Sequence, residues 1–296
     1  ALQQAMIEII RQAPSPAFAN PRFWAPFIVL GDGGVRVSPN NDSAGPRQSS
    51  QVQVSPGGGE ILAMTQSGAG LVSSEIGPVE NGRAPSVIRE RSAGAVAWTV
   101  EDKVIGAGTL VTGKDMSVAA GYIWRGKAAP VLRAISKDGK LLWHKELASR
   151  FDSAVIATLS LGPQGLFAVI APLNEATGKI DFDILHLDLA GNELSHRSVT
   201  AAQPEAQIHT DRTIFASALM GDSLYIAASY SPTSLKTVRN DFGFVSVCQQ
   251  GRGARTYRVK ADDLAPVQES DLSGLRIHSL QAGRDGLVFA GSQQEG

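Results

Sequence analysis

Gly162-Pro163-Gln164-Gly165 followed by Leu166-Phe167-Ala168-Val169-Ile170-Ala171 is the stretch that decides the fold. A glycine- and proline-rich turn opens onto a short run that is apolar at every position. Such a run suits a strand covered on both faces. The pattern returns. Met116-Ser117-Val118-Ala119-Ala120-Gly121 follows Gly113-Lys114-Asp115. Leu224-Tyr225-Ile226-Ala227-Ala228-Ser229 follows Gly221-Asp222-Ser223, and Leu287-Val288-Phe289-Ala290-Gly291-Ser292 follows Arg284-Asp285-Gly286. The four runs align without gaps, and Ile61-Leu62-Ala63-Met64, after Gly57-Gly58-Gly59, makes a fifth candidate at a similar interval. Recurrence at such intervals is the signature of a repeat architecture.

Hairpins lie between these runs. Asp138-Gly139 inside residues 132–147 is a hairpin turn signal, because glycine tolerates the positive φ such turns need, and Gly191-Asn192 plays the same part within residues 183–199. Leu185, Leu187 and Leu189 alternate with Ile184, His186 and Asp188, and Val245 and Val247 alternate with Phe244, Ser246 and Cys248. Both are half-buried strand periods. Each unit therefore reads as a dry strand, a loop and a hairpin with one wetter strand. Units of this size match β-propeller blades, with the driest strand near the hub and the most polar at the rim. The expected units are residues 56–103, 104–150, 151–201 and 202–263, with a partial one at 264–296. The expectation is a mainly β chain with an incomplete propeller of about four to five blades over residues 56–296. A tandem of β-sandwiches is the rival. The region resembles the quinoprotein-like and WD-repeat-like propeller group, without a tight signature repeated in every blade.

Composition agrees. Gly 31 and Pro 15 together make roughly 16% of 296 residues, an excess that implies many turns. Lys+Arg 27 against Asp+Glu 28 gives a net charge of −1, which argues against nucleic acid or electrostatic membrane adsorption as the partner. One cysteine excludes a disulfide scaffold and a multi-thiolate zinc site, and leaves the compartment open. No apolar run is long enough to span a membrane as a helix.

The first 34 residues read differently. Leu2, Ala5, Met6, Ile9 and Ile10 form a helical stripe, Pro14 and Pro16 stop it, and Phe27-Ile28-Val29-Leu30 reads as a buried parallel strand closed by Gly31-Asp32-Gly33-Gly34. One helix and one strand cannot cover each other. The order of that helix, then Asn20-Pro21-Arg22-Phe23-Trp24-Ala25-Pro26-Phe27, then Val29-Leu30-Gly31-Asp32-Gly33, resembles the C-terminal end of a CHAT domain. This family is caspase-like and typically bacterial. Pro26 departs from the small residue expected there and argues for an edge position or a strand start. The resemblance implies a cysteine peptidase with a His-Cys dyad, the imidazole activating the thiolate. In the family both dyad residues precede this helix and strand, so neither is carried onto any position here. Residues 35–55, rich in Ser, Asn, Pro, Gly and Gln, read as a linker, with Val52 and Val54 alternating toward the strands that follow. Neither terminus reads as a natural end, so the chain is expected to be a fragment. Its open sheet edge is expected to make it poorly soluble.

Candidate chemistry is sparse. Cys248, with no basic neighbour within two positions, reads as a structural cysteine. His144, His186, His196, His209 and His278 show no metal-ligand spacing. His186 and Asp188 share a strand face and read as a cross-strand hydrogen-bonded pair. Ser136-Lys137-Asp138-Gly139-Lys140-Leu141-Leu142-Trp143 resembles the Asp box of sialidases, with its Asp–Gly spacing one residue short, and the tryptophan-docking repeat of quinoproteins. With no second copy visible, it reads as a turn followed by a Trp packed between blades. Arg252, Arg255, Arg258 and Lys260, followed by Asp262, Asp263, Glu269 and Asp271, read as a solvated rim. The glycine clusters at 31–34 and 57–59 are too short to cradle phosphate.

No catalytic, cofactor-binding or metal-binding residue and no cofactor is therefore assigned. The expected function is that of a fragment of a CHAT-type cysteine peptidase whose propeller binds a protein or peptide partner on its faces. The alternative is a non-catalytic interaction scaffold, and after it a propeller glycosidase or quinoprotein.

Overall fold

The computed structural model describes residues 61–67, 70–76, 86–92, 95–102, 105–173, 179–202, 208–209, 213–240, 243–250, 253–283 and 286–293. All lie in one compact unit, Val52–Gly296. The helix, strand and linker expected before residue 56 lie outside the described residues.

Among the described residues the chain is all strand and turn, with no helix. Four strands in sequence order form the first antiparallel sheet: β1 (Ile61–Ser67), β2 (Gly70–Ile76), β3 (Ser86–Ser92) and β4 (Ala95–Asp102). The second sheet is β5 (Ile105–Thr112), β6 (Met116–Trp124), β7 (Ala128–Ser136) and β8 (Leu141–Glu146). The third is β9 (Ala154–Gly162), β10 (Gly165–Pro172), β11 (Lys179–Leu187) and β12 (Glu193–Ala202). A short β13 (Ile208–His209) precedes the fourth sheet, whose first two strands are β14 (Ile214–Met220) and β15 (Ser223–Tyr230). A long hairpin, β16 (Pro232–Asn240) and β17 (Gly243–Gln250), then interrupts it and joins β13 in a separate three-stranded sheet. The fourth sheet resumes with β18 (Gly253–Lys260) and β19 (Pro266–Ser273). A two-stranded sheet, β20 (Leu275–Ala282) and β21 (Leu287–Gln293), ends the described chain.

The first strands of successive sheets, β1, β5, β9, β14 and β20, lie beside one another. The fourth strands β4, β8, β12 and β19 occupy the opposite edges. This is a β-propeller-like array of four-stranded blades.

The four aligned runs fall in second strands β6, β10, β15 and β21, one place out from the hub. The fifth candidate, Ile61–Met64, lies in a first strand, and the equivalent second strand of blade one is Gly70–Ile76. The reason for the continuous apolar pattern is visible in β10. Leu166, Ala168 and Ile170 join the core shared with blade two, while Phe167, Val169 and Ala171 join the core shared with blade four. A second strand is sandwiched between neighbouring blades, so both its faces are dry.

Unit boundaries hold for the first three blades. In the fourth they move: the polar strand β19, expected in the partial last unit, completes blade four. The inserted hairpin lengthened the unit, and the tight turn at Gly274 (φ 75°) hid the break between β19 and β20.

Candidate functional site

The rims of the blades carry a repeated device. β7 and β8 are joined by a type I turn in which the Gly139 amide donates to the Ser136 carbonyl at 3.0 Å and the Ser136 amide to the Lys140 carbonyl at 2.8 Å. Gly139 takes φ 80°. This is a three-residue loop with a glycine bulge rather than a two-residue turn. The turn between β11 and β12 copies it: the Gly191 amide donates to the Asp188 carbonyl at 3.0 Å, the Asp188 amide to the Asn192 carbonyl at 2.8 Å, and Gly191 takes φ 86°.

Each turn seats on a tryptophan of the preceding blade. Trp98 of β4 shares its indole N–H between the Glu90 carboxylate at 2.5 Å and the Lys137 carbonyl at 3.0 Å, and a Cβ on Gly139 would meet the Trp98 Cβ at 2.7 Å. Trp143 of β8 donates to the Leu189 carbonyl at 2.9 Å, and Gly191 lies against its ring. The expectation that Trp143 packs between blades holds. Only the Gly–Trp spacing recurs: Gly94 precedes Trp98 by the interval at which Gly139 precedes Trp143, while Arg91 and Ala93 stand where the motif has Ser136 and Asp138.

At the third interface the tryptophan position is Ser195. Arg197 of β12 instead donates to the Leu264 carbonyl at 3.4 Å, and the turn's left-handed residue is Leu264 (φ 58°) in place of glycine.

Charged groups inside the array serve cohesion. Arg150, between blades two and three, binds the Asp183 carboxylate at 2.8 Å, Asp181, the Thr200 hydroxyl at 3.2 Å, and the Phe182 and Val199 carbonyls at 3.1 and 3.0 Å. Asp183 is buried and also accepts from Ser198 at 2.7 Å. In blade one, buried Glu75 accepts from Ser73 at 2.7 Å and pairs with Arg89 and Arg91. Burial works to raise its carboxyl, but the Arg91 and Ser73 hydrogen bonds and the two arginine charges together hold it below the ordinary range. The hub has a hydroxyl ladder: Thr158 and Ser160 lie 3.0 and 2.8 Å from the Ser217 hydroxyl.

The sequence candidates are dispersed. His186 is buried and stacked on Phe167, with centroids 4.2 Å apart. Its Nε2–H donates to the Gln164 carbonyl at 2.9 Å. Asp188 is not its partner. The strand ends at Leu187, so Asp188 sits in the turn, accepting from the Asn192 amide and side chain at 2.8 Å each. His144 accepts from the Nε–H of buried Arg133 at 3.0 Å. Burial lowers the Arg133 guanidinium to about 10, and burial with the Arg133 charge lowers His144. His196 lies 3.7 Å from Asp183, and His278 lies 3.3 Å from the Ser292 hydroxyl. Asp138 is drawn down to about 2 by hydrogen bonds from Ser136 and Lys140.

Arg255 binds Asp271 at 2.6 and 3.0 Å and Glu269 at 3.3 Å, so the basic stretch and the acidic one after it pair across β18 and β19. Cys248 stands opposite Leu235 in the inserted hairpin. The side chains of Cys248 and His209, all of Arg252 and the glycine clusters lie outside the described residues. Among the described residues no cluster of metal-ligating side chains occurs, and no helix is long and apolar enough to cross a membrane.

No family model matches the chain. No curated protein matches it either. Among solved structures it is similar to a subtype N11 neuraminidase-like protein of A/flat-faced bat/Peru/033/2010 (H18N11), at 10% identity and a TM-score of 0.41, over 70% of this chain and 62% of that one. The likeness thus spans less than two thirds of that protein, and the fold rests on the blades themselves.

Proposed function

We propose that this chain is part of a multidomain CHAT-type, caspase-like cysteine peptidase and that its propeller recognises a protein or peptide partner for that enzyme. The run Asn20–Gly33 carries the peptidase half of the reading. Read with the helical stripe Leu2–Ile10 before it, its order resembles the C-terminal end of a CHAT domain, in which the dyad comes earlier. For the propeller half, support comes from rigidity. Blades clasped at rim and hub present turns at fixed geometry, which suits docking at low ordering cost. The chemistry within the array is absorbed in cohesion: Arg150 with Asp183, Glu75 with two arginines, and Arg255 with Asp271.

A non-catalytic scaffold is the second reading. No position of this chain matches either member of the dyad, as expected under both readings, since the family's dyad precedes these residues. The encoding reading frame separates the two. A His followed by a Cys, each after an apolar strand and upstream of residue 1, supports the peptidase. Their absence leaves the scaffold. The activity test compares the peptidase with and without residues 56–296. Loss of the propeller should raise KM for a protein substrate and leave turnover of a short fluorogenic peptide unchanged. Equal loss on both substrates would overturn the recognition role.

A further inference from the structure

The blades guard their outer edges, and the inserted hairpin does not. A sheet edge offers unpaired N–H and C=O groups to any other strand, and charges, proline and bulges are what blunt it. Each fourth strand carries such devices. β4 holds Glu101 and Asp102, β8 Lys145 and Glu146, β12 Glu193 and Arg197, and β19 Pro266, Glu269 and Asp271. Each also pairs with its third strand through a register shift, at Glu90/Arg91, Ala134/Ile135, His186/Leu187 and Arg258/Val259.

β17 is the outer strand of the sheet β13–β16–β17, and among the described residues no strand lies on its other side. It reads Gly243-Phe244-Val245-Ser246-Val247-Cys248-Gln249-Gln250, with neither a charge nor a proline. Its pairing with β16 runs from Thr233 with Gln250 to Asn240 with Gly243 and has no shift. β21 is uncharged too, but it is a second strand, whose outer edge a third strand covers in the other blades, and its pairing with β20 is shifted at Ile277/Ser279. The hairpin therefore ends in a regular, uncharged edge built around strand-forming Phe and Val.

The residue order of that edge is symmetric about Ser246. Laid antiparallel on a copy of itself with Ser246 opposite Ser246, the strand sets Val245 opposite Val247, Phe244 opposite Cys248 and Gly243 opposite Gln249. Apolar residue types fall opposite apolar ones, and serine opposite serine. An axis at Val247 would instead set Val245 opposite Gln249, and one at Val245 would set Phe244 opposite Ser246. The edge brings no like charges together. Such a two-fold pairing uses the same patch on both copies, so it closes at two and leaves no β17 edge open.

We propose that the chain forms a two-fold dimer through β17, the inserted hairpins of two copies joining into one sheet of order β13–β16–β17–β17–β16–β13 with its axis at Ser246. The occupant is a second copy of this chain, which goes beyond the recognition role given above. A foreign strand would use the same backbone groups, but the palindromic order around Ser246 answers to a copy of itself.

Sedimentation of the full chain at rising concentration should show a reversible monomer–dimer equilibrium. Ser246→Lys and Ser246→Glu each set like charges face to face on the axis, so each alone should dimerise about tenfold more weakly or worse. An equimolar mixture of the two should recover the dimer, which a misfolded variant could not do. Ser246→Cys in a Cys248→Ser background should give a disulfide-linked dimer on air oxidation, and Val245→Cys in the same background far less, because only the axial residue meets its own copy within reach of a disulfide. Val288→Lys on β21 should leave the dimer intact. A chain that stays monomeric at every concentration overturns the proposal. So does a dimer that survives both single charges, that mixing fails to restore, that cross-links equally from position 245, or that Val288→Lys dissolves.

Discussion

The interface between blades two and three and the one between blades three and four join similar sheets by different means. The first has a tryptophan clasp at its rim, the Arg150 network at its side, and a core of aliphatic and small residues with no aromatic among its fully buried members. The second lacks the tryptophan and, among the described residues, has the 3.4 Å contact of Arg197 at the rim, but its core is aromatic. There Phe182 meets the edges of Phe215 and Tyr257, each with centroids 5.2 Å apart. Cohesion has moved inward where the rim device is missing. The two interfaces should therefore fail at different places.

The largest effect should come from the aromatic core. Phe182→Ala removes a fully buried ring between two other rings and should cost about 3–5 kcal/mol in urea or thermal unfolding. If the loss stays below about 1 kcal/mol, the third interface does not depend on this cluster.

The clasps come next, and they differ from each other. At Gly139 a methyl group meets the rigid base of Trp98 at 2.7 Å and the backbone sits at φ 80°. At Gly191 it meets the Trp143 ring at 3.1 Å. Gly139→Ala should therefore cost about 1–3 kcal/mol, with Gly191→Ala near the lower end. The reverse order in paired melting experiments would mean that the first clasp has room to shift.

Most of the array is legible in the sequence because its cause is local to a strand. A second strand with neighbours on both sides is apolar at most positions, and that pattern marks β6, β10, β15 and β21, while β2 hides it with Ser73, Ser74 and Glu75. The run does not tell which neighbours cover it. β21 keeps the pattern although Val288 and Phe289 are 62% and 50% exposed. The first strands are harder to read, since their hub faces carry Thr158, Ser160 and Ser217, which satisfy one another. The pairing of Arg150 with Asp183 is long-range and leaves no spacing to find. The Trp98 clasp could have been found by aligning Gly94 with Gly139. His186 with Asp188 misled because a face-sharing argument fails where the strand ends, at Leu187.

A smaller effect isolates the indole hydrogen bond. Trp143→Phe keeps an aromatic ring against Gly191 and removes the donor to the Leu189 carbonyl, so the expected loss is about 1 kcal/mol. Arg197→Ala removes a longer, poorer contact of 3.4 Å at the equivalent place and should cost about half a kcal/mol or less. Equal losses would mean that the third rim is clasped as firmly as the second.

The smallest effect is a pH dependence seated in blade two. Arg133 donates its Nε–H to Nδ1 of His144, so the histidine must keep a lone pair there. Protonation would break that bond and set two cations side by side. Burial and the Arg133 charge accordingly hold His144 below its ordinary value in the folded chain, with Glu146 acting in the opposite direction. The unfolded chain then binds the proton more readily, at a pKa of about 6.5. The sign follows: this pair adds to stability above about pH 6.5 and loses that contribution as pH falls through the lower folded value. Melting temperatures taken between about pH 5.5 and 7.5 should show the difference between the native chain and Arg133→Met shrinking or reversing toward acid. Much of His144 is open to solvent, so the slope will be shallow. Glu75 does not interfere, since its carboxyl titrates below the ordinary range. A difference that stays constant across that window would show that Arg133 and His144 are not coupled.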